Sequence, residues 1–138
     1  KDDLIRSGNQ HSALDRKTVL VVEDISSNYL LISAMLSKHY NLLHAVNGEQ
    51  AVAMVKEYKI DLLLMDMKMP VMDGLTATAE IRKFDTNIPI VALTAHAFES
   101  DKVAALKSGC NDYLVKPVDK ARLMSVLRKY CHPSTLVL

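Results

Sequence analysis

The sequence predicts an α/β fold, a three-layer sandwich with helices on both faces of a five-stranded parallel sheet. Short apolar and β-branched runs at 18–23, 42–46, 60–66, 88–94 and 112–116 alternate with segments of helical length whose apolar residues recur at about 3.6-residue spacing. That alternation is the pattern of repeated strand-helix units. Runs such as Leu62-Leu63-Leu64-Met65 are apolar without interruption, which implies strands covered on both faces. Three of the runs also end on reactive side chains: Glu23-Asp24, Asp66 and Lys116. Parallel strands would bring these to one carboxyl edge, where open α/β sheets place their sites.

Each element has its own signals. Residues 1 to 16 are polar without a sustained period, as expected of a linker or N-terminal tail. The first strand follows from Thr18, and Asp24 and Ser26 are placed to cap a first helix reaching about His39. Asn47-Gly48 opens a second helix through Tyr58, and Gly74 precedes a third that runs to about Phe84. A fourth runs from about Phe98 to Lys107 and stops at Ser108-Gly109, where glycine accepts the left-handed conformation of a helix end. The fifth starts near Asp119, with Leu123, Val126, Leu127 and Tyr130 on one face. Residues 17–131 are thus expected to form one domain and 132–138 a C-terminal tail.

Composition narrows the function. At 138 residues and 49% hydrophobic content the chain can bury one core and is short for two. Seventeen basic against sixteen acidic side chains give a net charge of +1, so no overall field favours nucleic acid or an anionic membrane. No apolar run approaches the roughly 18 to 20 residues of a spanning helix, and the opening residues lack an apolar signal-peptide core. A cytoplasmic domain is expected. Because the chain starts at Lys1 rather than methionine, it is expected to be a piece of something longer. Cys110 and Cys131 lack redox or zinc spacing and are expected to be reduced packing residues, and His11, His39, His44, His96 and His132 lack ligand spacing. Met65, Met67, Met69 and Met72 fall in a buried strand and its loop and are expected to pack there.

The strand ends carry the chemistry. Glu23, Asp24 and Asp66 at one edge would repel one another unless a cation neutralises them. A hard, oxygen-seeking cation, Mg²⁺ above all, fits that donor set and leaves positions open for a phosphoryl oxygen. A carboxylate is also a competent nucleophile toward phosphorus, and Asp66, central among the strands, is the natural acceptor. Thr94 ends the fourth strand with a hydroxyl able to donate to an anion, and Lys116 ends the fifth with a compact positive charge able to pair with Asp66. A cis peptide before Pro117 would turn that ammonium inward.

These residues resemble the receiver domain of the two-component response-regulator family. The matching segments are Glu23-Asp24, Leu64-Met65-Asp66-Met67-Lys68-Met69-Pro70 with Asp73-Gly74, Leu93-Thr94-Ala95, and Asp112-Tyr113-Leu114-Val115-Lys116-Pro117, spread over about residues 17 to 131. The resemblance implies a flavodoxin-like sheet in order 2-1-3-4-5. It implies Asp66 as phosphoacceptor, Asp24 and Asp66 as direct Mg²⁺ ligands, Glu23 reaching the metal through water, and the Lys68 backbone carbonyl as a further ligand. Thr94 and Tyr113 would form a conformational switch read out on the helix 4, strand 5, helix 5 face. The implied partner is a histidine kinase or histidine phosphotransfer domain, docking on Ile25, Tyr29 and Ile32, with no direct nucleic-acid or membrane contact. Lys68 and His96 would flank the path of the hydrolytic water.

An aspartate-nucleophile phosphatase is the enzyme alternative, but that class resembles Asp-x-Asp after a first strand, whereas Asp66 ends the third and Lys68 takes the second position. A flavin binder would need a glycine- and hydroxyl-rich loop where Glu23-Asp24 stand. Among receivers, the phrases around Asp66 and Thr94-Ala95-His96-Ala97 look most like those of hybrid sensor histidine kinases. The expected parent is an inner-membrane sensor kinase carrying this domain at its C-terminus, with a stand-alone regulator as the alternative.

Overall fold

The computed structural model describes residues 16–95 and 98–132. The linker expected before Arg16, the tail from residue 133, and His11 and His96 lie outside the described residues. Along the chain run β1 (Thr18–Val22), α1 (Ser26–Leu36), β2 (Asn41–Ala45), α2 (Gly48–Glu57), β3 (Leu62–Asp66), α3 (Gly74–Arg82), β4 (Ile90–Thr94), α4 (Glu99–Ser108), β5 (Asp112–Val115) and α5 (Lys120–Cys131). The strands form one parallel sheet in the order β2-β1-β3-β4-β5.

Alternation along the strands divides the core in two. Val19, Val21, Leu62 and Leu64 join Leu36 and Leu127 on one side, while Leu20, Val22, Leu63 and Met65 join Ala77 and Ile81 on the other. Every residue of β3 and β4 is buried, as their unbroken apolar runs require of strands covered on both faces. Cys110 and Cys131 are free, buried thiols in these layers. Burial pushes the Cys131 thiol up to about 11, so it stays protonated and unreactive at neutral pH.

Three helix starts follow the sequence signals. Asn47, Asp73 and Asp119 accept hydrogen bonds from the amides of Gln50, Thr76 and Arg122, each three residues on. Helix α4 ends at Gly109 with φ of 120°, a conformation that favours glycine.

Helix α1 departs from expectation at both ends. Neither Asp24 nor Ser26 caps it; Ile25 occupies the capping position without a side-chain bond, because the acidic residues before it are committed to the sheet edge. The helix stops at Leu36 rather than His39, where a turn with the Tyr40 amide bonded to the Leu36 carbonyl takes buried Tyr40 back toward β2.

The sheet order reverses between β1 and β3, and the crevice beyond their carboxyl ends is the place such sheets hold ligands. The loop after β3 is tied down there by the Gly48 amide on the Met72 carbonyl (2.9 Å) and the Gly74 amide on the Met67 carbonyl (3.2 Å). A Cβ at Gly74 would collide with the Asp66 carbonyl oxygen and come within 2.9 Å of the Met67 Cα. Both obstacles are backbone. Gly74→Ala is therefore expected to lower the unfolding free energy by about 1–3 kcal/mol in a urea titration; an unchanged midpoint would show that the loop yields freely.

Candidate functional site

Strand register assembles the site. Val22 lies beside both Ala45 and Met65, so Glu23 and Asp24 emerge at the level of Asp66. Asp66 pairs with Leu93, Thr94 pairs with Val115, and the Lys116 amide donates to the Thr94 carbonyl at 2.8 Å. The Lys116-Pro117 peptide is cis, as expected.

The Lys116 ammonium bridges two buried carboxylates, 3.1 Å from Glu23 Oε1 and 3.1 Å from Asp66 Oδ2. Glu23 is 0% exposed, and its other oxygen, Oε2, faces the Ile25 amide at 3.3 Å and Asn28 Nδ2 at 3.4 Å. Asp66 Oδ1 accepts the Lys68 amide at 3.2 Å. Asp24, by contrast, is exposed, and carboxylate oxygens of Glu23, Asp24 and Asp66 lie within 4.8 Å of one another. Three carboxylates and one ammonium leave about two negative charges in a crevice, a donor set that fits a divalent cation with oxygen ligands.

The charges are unevenly settled. Burial raises the Asp66 carboxyl above its ordinary range; the Lys68 amide and Lys116 oppose that, and Glu23 adds to it. For Lys116 burial works to lower the ammonium, but the Glu23 hydrogen bond and the Asp66 charge outweigh it and raise it. Lys116 thus stays charged, and Asp66 takes a proton more readily than an ordinary aspartate. Glu23 occupies more of the ammonium than the sequence led us to expect.

Residues 19–128 match the response regulator receiver domain. The chain belongs to that family. The receiver is 40% identical over 119 residues to hybrid signal transduction histidine kinase M of Dictyostelium discoideum, a match covering 80% of this chain and 5% of the relative. Among solved structures it resembles the receiver domain of sensor histidine kinase PA1611 from Pseudomonas aeruginosa PAO1, which has a magnesium ion coordinated in the active site cleft. That likeness has TM-score 0.78 and 39% identity, and covers 83% of this chain and 97% of the other. It also resembles the Saccharomyces cerevisiae Ssk1 receiver domain co-crystallised with the histidine phosphotransfer protein Ypd1, with TM-score 0.82, 36% identity, and coverage of 88% and 93%. The chain spans 5% to 26% of the length of several curated relatives that it matches.

The receiver places Thr94 and Lys68 on a cavity of about 380 Å³ whose walls include Met67, Asp73 and Asp101. Tyr113 on β5 is half-buried, with the Lys102 ammonium of α4 4.9 Å from its ring centre. On the other side a smaller cavity, about 200 Å³, runs between α1 and the β5–α5 connection, lined by Leu31, Met35, Pro117 and Val118 with Glu23 and Lys116 at its end.

The docking residues expected on α1 need correction. Ile25 is 51% exposed, but Ile32 is 3% exposed and turned into the core, because the helix lays that face on β1 and β3. Tyr29 is half-buried, its ring stacked on His44. The apolar side chains that α1 presents outward are Leu30 and Leu31, besides Ile25. Sequence reasoning passed over Asn28 and saw in His44 only a histidine without ligand spacing. Both become visible only through register, which sets β2 beside β1 and the first turn of α1 beside Glu23.

No helix among the described residues is long and apolar enough to cross a membrane.

The Asp66 shift has a measurable consequence for stability. A carboxyl raised on folding holds its proton more tightly in the native state, so its ionisation costs stability above that range and the cost vanishes below the unfolded value. In Mg²⁺-free buffer near pH 7, Asp66→Asn is expected to stabilise the domain by on the order of 1 kcal/mol in chemical denaturation. The gain should shrink as pH falls through the acidic range; a variant less stable than the parent at both pH values would contradict the assignment.

Proposed function

We propose that Asp66 accepts a phosphoryl group from a phosphohistidine on a histidine kinase or histidine phosphotransfer domain, at a site where Glu23, Asp24, Asp66 and the Lys68 carbonyl would hold Mg²⁺. The observation that carries this is the convergence of three carboxylates, two of them on one ammonium, at the switch point of the sheet. As an Asp66 oxygen bonds to phosphorus, the donor's P–N bond breaks and its electron pair stays on the imidazole nitrogen. Mg²⁺, when bound, neutralises charge on the carboxylates and the phosphoryl oxygens. Lys116 supplies the fixed cation on the opposite side, and the Thr94 hydroxyl donates to a phosphoryl oxygen of the product.

The readout follows from the same groups. Movement of Thr94 toward the phosphoryl group shifts a two-state equilibrium in which Tyr113 packs inward, away from Lys102. The face that changes is that of α4, β5 and α5, where Phe98, Val103 and Leu106 are exposed and a shallow cavity lies between Tyr113 and Arg122. A downstream partner would bind there.

The parent is a hybrid sensor histidine kinase, a reading supported by the hybrid kinase relative and by the sensor kinase origin of the PA1611 receiver. Donor docking uses Ile25, Leu31 and the apolar cavity between α1 and the β5–α5 connection, which opens beside Lys116.

With Mg²⁺ and acetyl phosphate the chain is expected to gain the mass of one phosphoryl group, and Asp66→Asn none; labelling of the variant would place the acceptor elsewhere. Leu31→Glu is expected to slow transfer from a phosphohistidine donor about tenfold more than labelling by acetyl phosphate, measured by phosphate gel in single-turnover reactions. Equal effects on both donors would remove Leu31 from the docking surface.

A further inference from the structure

We propose that His44 is a positioning residue for the cation site, holding the Glu23–Asp24 peptide so that both carboxylates converge; this rests on the Mg²⁺ reading above. The observation is a pair of contacts on β2 that no strand requires. His44 Nε2 lies 2.8 Å from the Glu23 backbone carbonyl, and the imidazole is stacked on the Tyr29 ring with centroids 3.9 Å apart and planes within 3°.

The hydrogen bond identifies the tautomer. A carbonyl oxygen only accepts, so the proton sits on Nε2. Glu23 is then tied to β2 twice, by its amide on the Ala45 carbonyl at 2.9 Å and by its carbonyl on His44. The carbonyl carbon and oxygen of Glu23 share a rigid plane with the nitrogen and Cα of Asp24. Fixing that plane fixes the direction in which Asp24 leaves the strand. This matters most for Asp24 because it is exposed, whereas the Glu23 carboxylate is already held by Lys116. Tyr29, one turn into α1, lies flat against the imidazole and limits its rotation, so one ring secures the acidic loop to both the strand beside it and the helix after it. Groups that orient ligands from behind set metal affinity as surely as the ligands do.

The test is a titration of the full 138-residue chain with MgCl₂, followed by ¹H–¹⁵N NMR of parent, His44→Phe and His44→Gln. The Phe variant keeps a ring against Tyr29 and loses the N–H; the Gln variant restores an N–H at similar reach. The Phe variant is expected to bind Mg²⁺ about tenfold more weakly, while the Gln variant recovers most of the loss. A contact that serves folding alone would lower the melting temperature and leave the affinity of the folded protein where it was. Equal affinity in parent and Phe variant overturns the proposal, as does a Gln variant no better than Phe. Long-range ¹H–¹⁵N spectra of the parent provide an arm that needs no variant: Nε2–H is expected for His44, and an Nδ1–H tautomer overturns the assignment. A parent that binds no Mg²⁺ removes the phosphoacceptor reading itself, which the parent titration reveals before any variant is compared.

Discussion

The structure turns on one ammonium shared between two buried carboxylates. Lys116 stands 3.1 Å from both Glu23 and Asp66, and among the described residues no ion pair balances the third carboxylate, Asp24. Were the crevice neutral, the sheet edge would be an ordinary packed end. Because it is not, the domain keeps an excess of negative charge there, which a divalent cation with oxygen ligands would neutralise. Holding like charges in a partly dry place costs local stability.

The remainder of the fold holds that arrangement still. Strands β3 and β4 are buried from end to end, so Asp66 and Thr94 end strands that are covered on both faces. The loop after Asp66 is the opposite kind of element. Val71 adopts φ of 70°, unfavourable for a β-branched side chain, and the Met72 amide reaches back to the Pro70 carbonyl at 2.7 Å. Such strain persists only when the surroundings impose it. Here the ties from Gly48 to Met72 and from Gly74 to Met67 impose it, and the Lys68 amide of the same loop donates to Asp66. A rigid strand and a constrained loop thus meet at Asp66, one fixing its position and the other shaping the space around it.

Much of this was legible in the chain. The alternation of runs, the helix starts at Asn47, Gly74 and Asp119, and the glycine ending α4 are local features, and each appears in the structure within about two residues of where it was expected. The strand ends announced the reactive set because parallel strands share a carboxyl edge whatever their order. Helix α1 was less legible. Its apolar residues run almost around the cylinder, so periodicity could not say that Ile32 faces inward while Leu31 faces out. Its N-terminus was misread for a related reason: Asp24 looks like a cap from its neighbours and is drawn instead to the sheet edge.

The sequence by itself determined the elements, the two-sided burial of the sheet and the residues available for phosphate chemistry, because these depend on spacing over a few residues. Tertiary structure decided the partnerships: that Lys116 is shared with Glu23 as well as Asp66, that Tyr29 spends its ring on His44, and that His44 serves the carbonyl of Glu23. Those contacts join residues 15 to 93 positions apart in the chain. They exist only because the register of the parallel strands sets their ends side by side, and register is a property of the assembled sheet rather than of any one strand.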